Sequence, residues 1–160
     1  MTYMDKMKVR VRTEHSSGSN TMANQPVIRQ AGVVAMRNGQ VCLVSSRNGK
    51  RWVVPKGCIE LGKTAGEIAL QEAWEEAGLV GLLHGEPLGS YVYEKDGFVC
   101  HVIVFAMNVT SSVDAYPEAG MRQRIWLAPA IAHSRVEDAG LGDILRTNAV
   151  TRALNEGRIS

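Results

Sequence analysis

From Ile28 onward, apolar residues gather into short dense runs separated by polar or glycine-containing breaks. AGVVAM (31–36) and QVCLVSS (40–46) are rich in residues that suit a pleated surface. Arg37-Asn38-Gly39 joins them, and Asn-Gly between two such runs predicts a tight β-hairpin. RWVV (51–54) predicts a third strand, stopped by Pro55, and Gly57 and Gly62 bracket a loop after it. The period then becomes helical. Thr64 is the expected N-cap, and Glu67 three residues later completes a capping box. Along this helix Leu70, Ala73 and Ala77 are expected on one face, Trp74 at its margin and three glutamates opposite, with Gly78 as the stop. LGSYVYEK (88–95) and FVCHVIVFAMNV (98–109) predict two more strands around a turn at Asp96-Gly97. A loop with Pro117 and Glu118 leads to RQRIWLA (122–128), another expected strand. Residues Pro129 to Leu154 read as helical, with Gly140 and Gly142 as interruptions. A helix inserted after the third strand and helices at the end predict a layered α/β (α+β) architecture with a mixed sheet.

Residues 1–25 are polar and lie before these runs, so they are expected to form a flexible arm ahead of one domain over 26–160. Within the arm Lys8, Arg10 and Arg12 alternate with Val9 and Val11, which fits either a short basic-faced edge strand or a solvated tail. A chain of 160 residues suits one domain with a real core. A net charge of +2 is too small to imply bulk attraction to nucleic acid or a membrane. No apolar run reaches the roughly 18 residues of a membrane span. Cys42, Cys58 and Cys100 are odd in number and lack metal-site spacing, which favours reduced thiols in a cytoplasm.

The chemistry concentrates in one helical turn. Glu72, Glu75 and Glu76 stand at i, i+3 and i+4 and fall within an arc of about 100°. Six glutamates and no Lys or Arg lie from Thr64 through Glu94. Such a cluster is either a solvated face or a cation site. Beside a glycine-rich loop the cation reading is preferred, and oxygen-only ligands suit Mg²⁺ or Mn²⁺ rather than zinc.

The stretch from Gly57 to Leu79 resembles the signature of the Nudix family, a loop–helix written G-x5-E-x7-R-E-U-x-E-E-x-G-U with U a bulky aliphatic residue. Gly57, Glu72, Glu75, Glu76, Gly78 and Leu79 match it, and Ala73 stands in for the first U. The flanks RWVVPKG and YPEAGMRQRIWL resemble the branch that cleaves diphosphoinositol polyphosphates and diadenosine polyphosphates. Two positions depart: Lys63 occupies the place of the first Glu and Gln71 that of the Arg. Gln71 remains able to hold Glu75 one turn on. Glu60 or Glu67 is an alternative source of the missing carboxylate.

The resemblance implies an α/β/α sandwich with a mixed sheet and a catalytic loop–helix. It implies a Mg²⁺-dependent pyrophosphohydrolase, with Mn²⁺ as the alternative ion, acting on a small nucleoside or dinucleoside polyphosphate or a related diphosphate. Glu72 and Glu76 are then metal ligands with the Gly57 carbonyl, while Glu75 is either a ligand or the base. Glu118 or Glu94 would complete the set. Arg47, Arg51, Lys56 and Arg122 are the expected substrate-binding cations, with Arg124 nearby. The segment Ile28-Arg29-Gln30 is less cationic than in inositol-phosphate members, which favours a dinucleotide polyphosphate. The molecule is expected as a monomer or homodimer. Two other readings compete: a binding module that has lost catalysis, motivated by Lys63 and Gln71, and an RNA 5′-pyrophosphohydrolase aided by the basic arm.

Overall fold

Both faces of the central sheet are covered, which is why its strands read as nearly continuous apolar runs. The computed structural model describes residues 26–147 together with 150, 152 and 153, so the arm expected over 1–25 and its RNA-binding role lie outside the described residues. In chain order the elements are β1 (Val27–Arg37), β2 (Gln40–Ser45), β3 (Trp52–Val53), β4 (Lys56–Cys58), α1 (Ala65–Ala77), β5 (Leu79–Lys95), β6 (Phe98–Ser112), β7 (Arg124–Leu127), α2 (Pro129–Arg135) and α3 (Ala139–Leu145). The sheet runs β3-β2-β1-β6-β5, with β4 paired to β1 and β7 to β2. It is mixed: β1 lies parallel to β6 from Val27↔Val99 to Met36↔Asn108, and the other strand pairs are antiparallel.

Alternation along the strands divides the interior into two cores. Ile28, Val34 and Met36 of β1 join Val41 and Leu43 of β2, and Cys100, Val102, Val104 and Ala106 of β6, beneath α2 and α3. Ala31, Val33, Ala35, Cys42, Val44 and Met107 point the other way, against Ile68, Ala69, Ala73 and Ala77 of α1. The result is the α/β/α sandwich the sequence implies. The two hairpin turns form as read. Asn38 and Gly39 (φ 52° and 76°) and Asp96 and Gly97 (φ 52° and 79°) all adopt left-handed conformations, as type I′ turns require.

Three expectations need correction. The loop after Pro55 begins with a short strand, β4, because the backbone of Lys56–Cys58 pairs with Gly32–Gln30. β5 starts at Leu79, nine residues before the expected run, and follows β6 through register shifts near Gly81, Pro87 and Gly89 that blur the sequence alternation. Gly140 and Gly142 lie within α3 rather than breaking a helix. A Cβ at Gly140 would lie 2.7 Å from that of Tyr91, and one at Gly142 would lie 3.2 Å from Nδ1 of His133. These glycines let α3 press onto β5 and α2, and the break falls instead between α2 and α3, where Val136 bridges to Trp52.

Candidate active site

The acidic helix begins on the predicted cap. Thr64 Oγ1 accepts the Glu67 N–H at 3.1 Å, and Glu67 Oε1 accepts the Thr64 N–H at 3.4 Å. Its last turn closes on Gly78 (φ 65°), whose N–H donates to Trp74 O at 2.9 Å. Between these ends the apolar face differs from expectation. Ile68, Ala69, Ala73 and Ala77 are buried, and Leu70 and Trp74 remain 37% and 38% exposed. Glu72 and Glu76 share the buried side, at 9% and 5% exposure, instead of lying opposite the alanines. At 100° per residue they stand 40° apart and next to Ala69 and Ala73. A helix face this poor in large side chains lets two carboxylates sink against the β-sheet end and the loop before the helix.

Gly57 makes room for one of them. It pairs with Ala31 in the sheet, and any Cβ built on it would collide with the Glu72 carboxylate. The glycine is required here by close approach. Glu76 is held by two contacts to its carboxylate. The Lys56 N–H donates to Oε2 at 3.1 Å and the Arg122 guanidinium reaches Oε1 at 3.2 Å. Burial pushes the Glu76 carboxyl up to about 7, against the opposing pull of Arg122 and Lys56. Burial also pushes the Lys56 ammonium down, countered by Glu76.

The helix cluster appears uncompensated along the chain, yet in space it has cations. Arg122, only 7% exposed, donates from Nε to Glu118 Oε1 at 3.1 Å and from Nη1 to Ser45 O at 3.0 Å while its other end meets Glu76. Expected as a substrate-binding residue, it is spent on two carboxylates and a carbonyl because the loop 113–123 folds back over α1, anchored by the Glu118 N–H on Glu75 O at 2.9 Å. Arg124 is likewise committed to protein groups, and it does not line the cleft. It donates to Ala77 O and Val113 O at 2.6 and 2.9 Å and pairs with Asp114 at 3.0 Å, closing the C-terminal end of α1, where a cation complements the helix dipole.

That fold-back brings a third carboxylate to the helix. Oxygens of Glu72, Glu75 and Glu118 lie within 4.8 Å of one another. Glu118 was one of two expected completions. Glu94, the other, is exposed on β5 opposite Val99 and takes no part in this group. Neither Glu60 nor Glu67 replaces the missing first Glu: Glu67 is engaged in the cap and Glu60 lies 3.6 Å from Lys63. Glu76 is the expected ligand left outside the group of three, with one oxygen toward Arg122 and one toward the Lys56 N–H. All the donors in the group are carboxylate oxygens, a set that fits a hard divalent cation better than zinc.

A cleft adjoins this cluster. Arg47, Arg51, Lys56 and Arg122 line it together with Glu76, Tyr93 and Lys95, and Arg47 lies 4.0 Å from Glu118. Lys95 and Tyr93 are absent from the expected site. The Lys56 ammonium rests 5.2 Å from the centre of the Tyr93 ring, whose hydroxyl donates to the buried Gln30 Oε1 at 2.7 Å. The signal available in the sequence was the alternation of YVYEK, which sets Tyr91, Tyr93 and Lys95 on one side of β5. Cys58, in the signature loop, accepts a long contact from Gln30 Nε2 at 3.7 Å and is buried.

Fold and site together define a layered α/β protein with an acidic helix beside a basic cleft. Residues 27–141 match the family model of the NUDIX domain. The chain belongs to the Nudix family. It is similar to Nudix hydrolase 4 of Arabidopsis thaliana, 40% identical over 91 residues that make up 56% of this chain and 44% of that one. It is also similar to the diphosphoinositol polyphosphate phosphohydrolase 3-beta of Bos taurus, 34% identical over 106 residues, 64% of this chain and 59% of that one. The chain spans about half the length of the curated relatives it matches. Several of these relatives carry mitochondrial or chloroplastic names. Among solved structures, the C. elegans Ap4A hydrolase binary complex superposes with a TM-score of 0.64 at 21% identity, over 79% of this chain and 98% of that chain. The MutT protein from Methanosarcina mazei Go1 gives 0.62 at 21% identity, over 84% and 97%. These two likenesses establish the shared fold. No described helix is long and apolar enough to cross a membrane.

Proposed function

We propose that this chain is a divalent-cation-dependent hydrolase that cleaves a pyrophosphate linkage in a small nucleoside or dinucleoside polyphosphate. The observation that carries this reading is the convergence of Glu72, Glu75 and Glu118 oxygens within 4.8 Å, next to a cleft lined by Arg47, Arg51, Lys56 and Lys95. Anions and cations so segregated suit a ligand that is itself a chain of negative charge bound partly through a metal. Glu72, Glu75 and Glu118 would hold Mg²⁺, or Mn²⁺ in its place, with the Gly57 carbonyl as a further donor. When bound, the ion supplies charge neutralisation at the phosphoryl oxygens and lowers the pKa of its water.

The remaining steps belong to the protein. Arg47, Arg51, Lys56 and Lys95 bind and orient the phosphate chain. The arginines suit two-point contacts to phosphate, and the lysines act as point charges. Lys56 is held by the Tyr93 ring, so its charge stays at a fixed place in the cleft. Glu75 is either a ligand or the base that takes the proton of the attacking water. Glu76, buried against Arg122, positions that arginine and the Lys56 backbone. The dinucleotide is favoured over an inositol polyphosphate because Ile28-Arg29-Gln30 brings one cation to the segment that opens β1. A cytoplasmic monomer or homodimer acting on a small molecule, with no nucleic-acid substrate, completes the reading.

A second reading, a Nudix-fold binding module without turnover, is favoured by Lys63 and Gln71. One screen separates the two. Purified protein is incubated with Mg²⁺ or Mn²⁺ and a panel of dinucleoside polyphosphates, nucleotide sugars, NADH, ADP-ribose and diphosphoinositols. The hydrolase reading expects cation-dependent product release, greatest with dinucleoside polyphosphates. Binding of these ligands with no product from any of them would establish the binding module instead.

A further inference from the structure

Lys63 and Gln71 are joined in a chain of contacts that ends on Glu75. The Lys63 ammonium donates to Gln71 Oε1 at 2.8 Å, and Gln71 Nε2 donates to Glu75 Oε1 at 3.2 Å. Glu60 holds the far side of Lys63 at 3.6 Å. A glutamine next to a carboxylate has two faces of opposite character. Its amide N–H groups attract the carboxylate and its oxygen repels it, and the two faces exchange by a half-turn of the last torsion. A cation on the amide oxygen removes this ambiguity, because turning the amide would set nitrogen against ammonium and oxygen against carboxylate at the same time.

We propose that Lys63 is a positioning residue for Glu75, acting through Gln71 by fixing which face of that amide Glu75 meets. The inference rests on the hydrolase reading of Glu75 given above. The positive charge stands one side chain back from Glu75, and one oxygen of Glu75 is held by the amide between them. The same carboxylate offers an oxygen to the group formed with Glu72 and Glu118. Lys63 is 42% exposed at its side chain, so water weakens the effect, and its removal should cost about two- to tenfold rather than abolish the site.

The test is a double-mutant cycle with Lys63→Met, Gln71→Leu and the two combined, plus Lys63→Arg as the conservative variant. Two quantities are read: Mn²⁺ affinity of the protein alone, by electron paramagnetic resonance, and kcat and KM on the best substrate of the screen. Lys63→Met should weaken Mn²⁺ binding and lower kcat about two- to tenfold with KM unaltered. In the Gln71→Leu background the same change should do nothing further, and Lys63→Arg should restore most of the loss. The proposal is overturned if Lys63→Met leaves affinity and kcat at wild-type values, or if its effect persists undiminished without Gln71. Glu72→Gln run alongside keeps the two failures apart. If Glu72→Gln abolishes Mn²⁺ binding and Lys63→Met does nothing, the metal reading stands and the Lys63 role falls. If Glu72→Gln leaves Mn²⁺ binding intact, the metal reading itself fails.

Discussion

Arg122→Met is expected to destabilise the fold by about 3–5 kcal/mol, the usual consequence of removing one partner from a buried ion pair. Arg122 satisfies Glu76 and Glu118 at 3.2 and 3.1 Å and the Ser45 carbonyl at 3.0 Å, with 7% of its side chain exposed. Methionine fills much of the same volume, so the loss measures the stranded charges more than a cavity. Part of the cost at Glu76 is relieved by protonation, because burial already pushes its carboxyl up to about 7 with Arg122 beside it. Without the guanidinium Glu76 would take up a proton at still higher pH, and the loop that carries Glu118 would lose one of its ties to α1. In a domain of this size the change corresponds to a fall in Tm of roughly 10 °C. Chemical denaturation at neutral pH checks the value. If Arg122 were only a grip for substrate phosphates, the variant would keep its stability and lose affinity alone. Lys in its place should fall between the two, since one ammonium cannot direct three separate contacts.

Gly57→Ala is expected to lower turnover by about 100-fold or more while costing only about 1–3 kcal/mol of stability. The added methyl would occupy the space of the Glu72 carboxylate. The cheapest relief is a turn of the Glu72 side chain, whose far end is flexible, rather than a shift of the β4–β1 pairing. That relief moves the carboxylate away from Glu75 and Glu118. Steady-state kinetics beside thermal melting separates the effects: a collapse of kcat/KM with a nearly normal Tm is the expected pair. Unimpaired turnover would mean that Glu72 need not stand where it does.

The parts of this molecule that were legible in the sequence are those governed by local physics. Asn38-Gly39 and Asp96-Gly97 turn as read because left-handed backbone at both positions is a property of the residues themselves. Thr64, Glu67 and Gly78 cap α1 for the same reason. Gln71 holds Glu75 as the i, i+4 spacing suggested. What could not be read depends on segments distant in the chain. The helix pattern alone marks Leu70, Ala73 and Ala77 as the apolar face and sets Glu72 and Glu76 opposite it. The sheet, however, receives the alanine face and takes the glutamates with it. The use of Arg122 and Arg124 was hidden too. Their partners Glu76, Ser45 and Ala77 lie 46, 77 and 47 positions away in sequence and meet them only after β7 pairs with β2. The early start of β5 was masked by its register shifts.

Mn²⁺ titration of the purified protein, followed by electron paramagnetic resonance without any nucleotide, bears most directly on the carboxylate cluster. Wild-type protein should show saturable binding, and Glu72→Gln and Glu118→Gln should each abolish it or weaken it by at least about tenfold. Binding that never saturates, or that is indifferent to both substitutions, would contradict the assignment of Glu72, Glu75 and Glu118 as the seat of the cation.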